Sequence, residues 1–159
     1  GVDALGINCG LGPVQMKPIV EELLRYASIP VVVNPNAGLP RSENGKTVFD
    51  VGAEEFAEDM EEIVTMGAWF AGGCCGTTPA HIQAMVEKCK EITPVPITPK
   101  NYTFVTSYST AVELGGRPVI IGERINPTGK SKFKQALRDH NIDYILEEGV
   151  KQEDSGAHI

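Results

Sequence analysis

Three cysteines carry the clearest chemical signal in the sequence. Cys9 follows the apolar segment 2–8, and the adjacent pair Cys74 and Cys75 follows a second apolar segment, 68–73. Thiolates are good zinc ligands, and three protein ligands leave the fourth tetrahedral position open, as in catalytic rather than structural zinc sites. The three side chains therefore form a candidate site for a zinc ion that activates a thiol, provided that the fold brings them together.

Other interpretations of these thiols remain open from the residues alone. A cysteine at the end of a strand is commonly a small buried residue, and an adjacent pair flanked by glycines can form a vicinal disulfide. The fourth cysteine, Cys89, lies on the apolar face of a predicted helix and is interpreted as a core residue. Chain length and low cysteine content argue against a disulfide framework and favour a reducing, cytoplasmic location.

The first ninety residues alternate between strand and helix patterns. The predicted elements are strands at 2–8, 30–34 and 68–73, and helices at 13–27, 53–66 and 78–92. Thr78 is the predicted N-cap of the last helix, with Pro79 in its first turn. The predicted buried stripe of that helix consists of Ile82, Met85, Val86 and Cys89. This order predicts an α/β fold with parallel strands, whose C-terminal ends, where the cysteines lie, meet at one edge of the sheet.

The rest of the chain is predicted to form a linker and the beginning of another domain. Three prolines between residues 93 and 99 indicate a stiff connection, and the predicted linker extends to residue 117. Within it, residues 103–114 predict one or two short strands, with a turn at Gly115. The remaining predicted elements are a buried strand at 118–125, a helix at 131–139, a strand start or a tight crossing at 142–145, and a helix within 148–159.

The motifs around the cysteines resemble those of a known family. Residues 6–9 (GINC), 33–38 (VNPNAG) and 72–77 (GGCCGT) are similar, in this order, to the zinc motifs and the intervening loop of the homocysteine S-methyltransferase family. The resemblance implies that residues 1–92 are the last three β/α units of a (β/α)8 TIM barrel, a partial barrel in this chain. It also implies that Cys9, Cys74 and Cys75 bind zinc, which holds homocysteine for methylation to methionine. Asn36 is the candidate for a fourth zinc ligand or a substrate-binding residue, with water as the alternative ligand.

A second motif resembles a different domain. Residues 122–129 (GERINPTG) are similar to the opening strand and loop of a pterin-binding barrel, so that residues 118–159 would begin a second TIM-type barrel. A zinc domain followed by a pterin domain is the arrangement of the cobalamin-dependent members of the family. The resemblance thus implies cobalamin and methyltetrahydrofolate as cofactors of the parent enzyme, with Asn126 and Glu123 as candidate pterin-binding residues. An Asn-Pro-Thr-Gly sequence is also simply a good turn, which stays open as the alternative.

Charge and length exclude some functions and leave others open. The net charge of −7 argues against nucleic acid as a partner, and no run of 18 apolar residues predicts a membrane span. Because a complete TIM barrel needs about 250 residues, the chain is expected to be a catalytically incomplete fragment whose partners are the remaining domains of the parent enzyme. Exposed sheet edges would favour self-association. The alternatives are a cobalamin-independent methyltransferase that uses betaine or methylmethionine, and a non-catalytic module with free or disulfide-bonded cysteines.

Overall fold

The computed structural model describes all 159 residues, and the chain divides into two compact units, Gly1–Lys100 and Asn101–Ile159. The predicted linker, residues 93–117, contains the point of division. No helix in either unit combines the length and the apolar composition needed to cross a membrane.

The first unit is built on a three-stranded parallel sheet. Its elements are β1 (Leu5–Asn8), α1 (Pro13–Tyr26), β2 (Val31–Asn34), β3 (Arg41–Glu43), β4 (Lys46–Val48), α2 (Ala53–Met66), β5 (Phe70–Ala71) and α3 (Pro79–Cys89). β2 is the central strand, and it pairs in parallel with β1 on one side and β5 on the other. The predicted α/β class with parallel strands is confirmed. The predicted third strand, 68–73, is longer than the observed β5, because only two residues pair with β2 before the glycines turn the chain away.

Local sequence signals explain where the helices begin and end. Pro13 occupies the first turn of α1. Backbone N–H groups there have no hydrogen-bond partner within the helix, so the N–H that proline lacks is not needed. α2 has acids in its first turn and ends at Gly67, whose φ of +128° an L-residue rarely adopts. Thr78 is the N-cap of α3, and its side chain and backbone both bond to His81 three residues later, in the manner of a capping box.

The core of the first unit lies between the helices and one face of the sheet. Its fully buried side chains come mainly from α1, β2 and α2: Met16, Val20, Val31, Val33, Phe56, Met60 and Ile63. From α3, Met85 is buried and Cys89 packs half-buried against the same core, as predicted. The prediction is wrong for Ile82 and Val86, which are exposed because α3 packs against α2 along one narrow side only.

A small antiparallel hairpin, β3 with β4, was not among the predicted elements. Its turn is Asn44-Gly45, and both residues have positive φ, at +52° and +75°. This is the conformation of a two-residue hairpin turn that Asn-Gly strongly favours. The hairpin carries the chain from the end of β2 to the loop 49–52, which packs beside the cysteines.

The second unit contains a hairpin and two helices. Its elements are β6 (Thr103–Thr106), β7 (Ala111–Leu114), α4 (Ser131–Arg138) and α5 (Ile142–Asp154). β6 and β7 pair antiparallel, so the prediction of short strands within 103–114 is confirmed, and α4 matches the predicted helix at 131–139. Gly115 has a φ of +109° and follows directly after β7.

Two sequence predictions for the second unit are wrong. Residues 118–125 form no strand, and Ile120, Ile121 and Ile125 are 56–62% exposed. A β-branched segment forms a buried strand only beside other strands, and here the backbone of Ile120 bonds to the chain terminus at residues 158 and 159 instead. Residues 142–145 begin helix α5 rather than a strand, because the Asn141 side chain accepts a hydrogen bond from the backbone N–H of Tyr144 and caps the helix.

Candidate metal centre

Cys9 lies one residue beyond β1, at the C-terminal edge of the sheet. Its backbone N–H donates to the carbonyl of Asn34, so the parallel pairing with β2 continues past the end of the strand. Its φ is +64°, a left-handed conformation that few non-glycine residues adopt outside turns and functional sites. Cys9 is therefore held by the sheet in an unfavourable backbone geometry that directs its side chain away from the strand path.

Cys74 and Cys75 lie just beyond β5, on the other side of β2. The N–H of Cys74 donates to the carbonyl of Pro35, at 2.7 Å, and the Thr77 hydroxyl donates to the carbonyl of Cys74, also at 2.7 Å. Gly76 then turns the chain with a φ of +81°, in a place where a Cβ would lie 2.5 Å from that of Phe49. The pair is thus fixed by β2 on one side and by a tight glycine turn on the other.

The three sulfur atoms converge at this edge of the sheet. The Sγ atom of Cys75 lies 3.7 Å from that of Cys9 and 3.9 Å from that of Cys74. All three ligand atoms lie within 4.8 Å of one another, and none of the thiols forms a disulfide. Cys75 is exposed and the other two are partly exposed, so a ligand can reach the group from solvent.

This donor set fits a zinc ion. Zn–S bonds of about 2.3 Å in a tetrahedron separate the sulfur atoms by about 3.8 Å, close to the two distances measured from Cys75. Three soft donors on one side leave a fourth position open toward solvent. The fit concerns Cys9, Cys74 and Cys75 together, the residues that the sequence predicted as ligands.

Asn36 lies between the two cysteine segments, on the extension of β2. Only 2% of its surface is exposed, and its Oδ1 atom accepts a hydrogen bond from the N–H of Cys75 at 3.0 Å. Its amide also lowers the pKa of the Cys9 thiol, as the smallest of several causes. Asn36 therefore lies beside the candidate metal centre, and its oxygen accepts a hydrogen bond from the Cys75 backbone.

The thiols of Cys9 and Cys75 differ in proton affinity. The backbone N–H of Gly10, followed by bonds from Cys74 and Cys75, lowers the pKa of Cys9 below its ordinary value. Hydrogen bonds with the Cys9 and Cys74 thiols, followed by the negative charge of those neighbours, raise the pKa of Cys75 to about 11. Of these two thiols, that of Cys9 thus becomes a thiolate first in the metal-free chain.

Cys89 lies outside the cluster, on α3. Burial, with a smaller contribution from the nearby Glu61, raises the pKa of its thiol. A buried thiol of raised pKa is a poor nucleophile and a poor ligand. Cys89 is a core residue, as the sequence indicated.

In the second unit, the candidate pterin residues bond to their own neighbours. The Asn126 side chain accepts a hydrogen bond from the N–H of Thr128 at 2.9 Å, which closes a local turn. The Glu123 carboxylate pairs with Lys130 at 3.1 Å and with Arg124 at 3.2 Å. Both side chains lie on the exposed loop between residues 118 and 130, and the structure brings Glu123 close to Arg124 and Lys130.

Two residues near the metal centre escaped the sequence analysis. His81 bonds through both ring nitrogens, to Thr78 and to the carbonyl of Val51. Val51 in turn bonds to the backbone beside Asn36. The available signal was the position of His81 three residues after an N-cap threonine, where a capping partner is expected.

Comparison with known proteins agrees with the site. A model of the family described as homocysteine S-methyltransferase matches residues 1–89, which include the three clustered cysteines. Over the whole chain, the sequence is 36% identical to the methionine synthase of Mycobacterium leprae and 34% identical to that of Mycobacterium tuberculosis. The chain spans 14% of the length of each of these relatives. The match over more than half of the sequence shows that the chain belongs to the homocysteine S-methyltransferase family.

Proposed function

We propose that this chain carries the zinc-binding part of an enzyme that methylates the thiol of homocysteine to give methionine. The observation that carries the proposal is the convergence of three free thiols, 3.7–3.9 Å apart around Cys75, at the C-terminal ends of β1 and β5, which flank β2 in one parallel sheet. Family membership supplies the substrate class. The names of the relatives, both methionine synthases, supply the product.

Each residue of the centre has a proposed part in this function. Cys9, Cys74 and Cys75 hold the zinc, which when bound keeps the substrate thiol in its nucleophilic thiolate form at neutral pH. Asn36 aligns Cys75 by accepting a hydrogen bond from its backbone N–H, and it lowers the pKa of Cys9. It remains our candidate for a fourth oxygen ligand when substrate is absent, because a carbonyl oxygen has a second lone pair beside the one that accepts from Cys75.

Proton release should accompany the reaction. Methyl transfer forms one S–C bond as the bond between the methyl group and its donor breaks, with that electron pair leaving on the donor. It also requires the loss of the thiol proton, so the site must favour the deprotonated substrate over the protonated one. The three cysteine thiols must also lose their protons to bind a metal. Because its pKa is lowered, Cys9 loses its proton before Cys75, whose raised pKa means that the metal must displace the proton.

The proposed parent enzyme extends the fold and the set of cofactors. We propose that β1, β2 and β5 with their helices are consecutive units of a TIM barrel, which the parallel pairing and the ligands at the strand ends support. We assign residues 1–92 to the zinc domain, 93–117 to a linker and 118–159 to the start of a pterin-binding domain. In the parent enzyme, methyltetrahydrofolate and cobalamin would supply the methyl group, in a reducing cytoplasmic setting that keeps the thiols free.

Asn126 and Glu123 are the proposed pterin-binding residues of the second unit. The side chain of Asn126 carries an amide that can pair with the polar edge of a pterin ring, and its oxygen holds the loop through Thr128. Equilibrium binding of methyltetrahydrofolate to the chain and to Asn126→Ala tests this assignment. Equal binding by the two proteins would remove Asn126 from the site.

Zinc stoichiometry tests the metal centre. The chain purified under reducing conditions should hold about one zinc per molecule, and Cys9→Ser, Cys74→Ser and Cys75→Ser should each lose most of it. Cys89→Ser is the matched control, because it removes a thiol of the same chain that lies outside the cluster. Less than about 0.2 zinc per chain, or equal loss in the Cys89→Ser control, would overturn the proposal.

Substrate binding is tested on the zinc-loaded chain. Homocysteine should release about one proton per site when it binds near neutral pH, since its thiol has an ordinary pKa of about 8.5. Methionine, which has no thiol proton, is the control ligand. Equal proton release with both ligands would contradict coordination of the substrate thiol.

A further inference from the structure

His81 makes one more hydrogen bond than helix capping requires. It lies in the first turn of α3, where its Nδ1 atom is 3.3 Å from the N–H nitrogen of Thr78. Its Nε2 atom is 2.9 Å from the carbonyl oxygen of Val51. Because an amide N–H can only donate and a carbonyl can only accept, both contacts select the same neutral ring, with the proton on Nε2.

The second of these bonds begins a path that leads to the candidate metal centre. The N–H of Val51 donates to the carbonyl of Ala37 at 3.0 Å. The N–H of Ala37 donates to the carbonyl of Cys75 at 2.9 Å. Three consecutive hydrogen bonds therefore join the His81 ring to Cys75, and the chain from residue 75 to residue 81 closes the path into a ring.

This closed path of hydrogen bonds joins three separate segments of the first unit to one another. The segments are the extension of β2 at residues 36–38, the loop before α2 at residues 49–52, and the cysteine loop at residues 74–78. The His81 ring is itself held edge-on by Phe56, with 5.5 Å between ring centroids, and Phe56 is fully buried in the core. A rigid core residue thus fixes the direction in which His81 presents its donor.

We propose that His81 is a positioning residue for the metal centre: its Nε2–H holds Val51, and through Val51 and Ala37 it holds the carbonyl of Cys75. The inference rests on the proposed metal site and deepens it, because it assigns the alignment of one ligand to a side chain that touches neither metal nor substrate. His81 also caps α3, and the experiment must separate the two roles.

Three substitutions separate capping from positioning. His81→Ala removes both hydrogen bonds. His81→Glu keeps an acceptor for Thr78, as in an ordinary capping box, but has no proton to donate to Val51. His81→Gln offers an acceptor and a donor on one planar group and is the rescue variant. Gln83→Ala, an exposed change on the same helix, is the matched control.

Two measurements are made on the full 159-residue chain. Amide hydrogen exchange of Val51 and Ala37 in the metal-free protein should be faster in His81→Ala and His81→Glu than in the wild type, and close to wild type in His81→Gln. Zinc affinity, from competition with a chromophoric chelator, should fall by about 10-fold in His81→Ala and His81→Glu. The added negative charge of glutamate would by itself favour zinc, so weaker binding by that variant cannot come from its charge.

Two outcomes would contradict the inference about His81, and a third would contradict the proposed function. If His81→Glu matches His81→Gln in both exchange and zinc affinity, His81 is only a helix cap and the inference is wrong. If neither His81→Ala nor His81→Glu differs from Gln83→Ala, the inference is likewise wrong. If the wild-type chain binds no zinc, the proposed function fails, and the exchange rates of the metal-free chain alone decide whether His81 positions the loop.

Discussion

Replacing Asn36 should weaken both the fold and the metal centre, because its buried amide bonds to the backbone of Cys75 and lowers the pKa of Cys9. In Asn36→Ala, the N–H of Cys75 loses the oxygen that now lies 3.0 Å away. A partly buried N–H left without a partner costs about 1–3 kcal/mol. Since Asn36 is only 2% exposed, we expect the free energy of unfolding of the first unit to fall by about this amount.

The substitution should change zinc affinity more strongly than it changes the free energy of unfolding. Residues that orient metal ligands without coordinating the metal typically contribute about 10–100-fold in affinity. Asn36 aligns the backbone of one proposed ligand, Cys75, so we expect zinc affinity to fall about 10-fold in Asn36→Ala. Asn36→Asp separates the contributions, because it keeps an acceptor for the N–H of Cys75 but places a carboxylate beside the Cys9 thiol, which raises the pKa of that thiol.

The assay uses the single tryptophan of the chain. Trp69 lies in the first unit and donates a hydrogen bond to the carbonyl of Val95 at 2.8 Å, so its fluorescence during urea unfolding reports on that unit. Unfolding of the metal-free protein gives the change in the free energy of unfolding, and competition with a chelator gives the change in zinc affinity. If Asn36→Ala unfolds within about 0.5 kcal/mol of the wild type and binds zinc within about twofold, Asn36 does not bridge the two cysteine segments.

Two further predictions concern the thiols and the sheet edges. In the metal-free chain at pH 8, an alkylating reagent should modify Cys9 before Cys75. A pKa of about 11 leaves roughly one part in a thousand of Cys75 as the reactive thiolate, whereas the pKa of Cys9 is lowered. Mass spectrometry of peptides shows the order in which the two cysteines are modified. The chain should also self-associate as its concentration rises, because β1 and β5 each have one unpaired edge, and Phe70 on β5 is 53% exposed; Phe70→Lys should shift sedimentation toward the monomer.

The alkylation and self-association predictions each have a control and a result that would contradict them. For alkylation, Cys89 serves as an internal reference because its thiol is half-buried and has a raised pKa, and faster labelling of Cys75 than of Cys9 would contradict the assignment of the proton. For self-association, Gln83→Ala changes an exposed residue away from the sheet edges. A wild-type chain that stays monomeric at about 100 μM would show that the edges do not drive assembly.

The meeting of the cysteines could be predicted from the sequence, whereas the bonds that align them could not. Alternating strand and helix patterns imply parallel strands whose C-terminal ends meet at one edge, so Cys9 and the pair at 74 and 75 were expected to meet there if their strands lie close together in the sheet. The role of Asn36 depends on which way its amide faces. The sequence offered its oxygen as a candidate zinc ligand or substrate contact, and the structure adds a hydrogen bond that this oxygen accepts from the N–H of Cys75.

Other differences follow from what a local pattern leaves unspecified. The segment 118–125 has strand composition, yet strand formation depends on a neighbour that the segment cannot specify, and none lies beside it. The hairpin of β3 and β4, by contrast, carried a readable local signal in Asn44-Gly45. His81 was recognisable as a capping partner of Thr78, but its bond to Val51 joins residues 30 positions apart, which no local pattern contains.

The geometry of the centre is a property of β2 and its extension more than of the strands that carry the cysteines. Cys9 bonds to the backbone of Asn34, Cys74 to that of Pro35, and Cys75 to the side chain of Asn36. Three consecutive residues of one segment thus align all three ligands. A slip of one residue in the pairing would move a ligand by about 3.3 Å and turn it to the other face of the sheet. Metal–ligand distances tolerate only about 0.2 Å, so the register of β2 with both neighbours determines whether these thiols can share one ion.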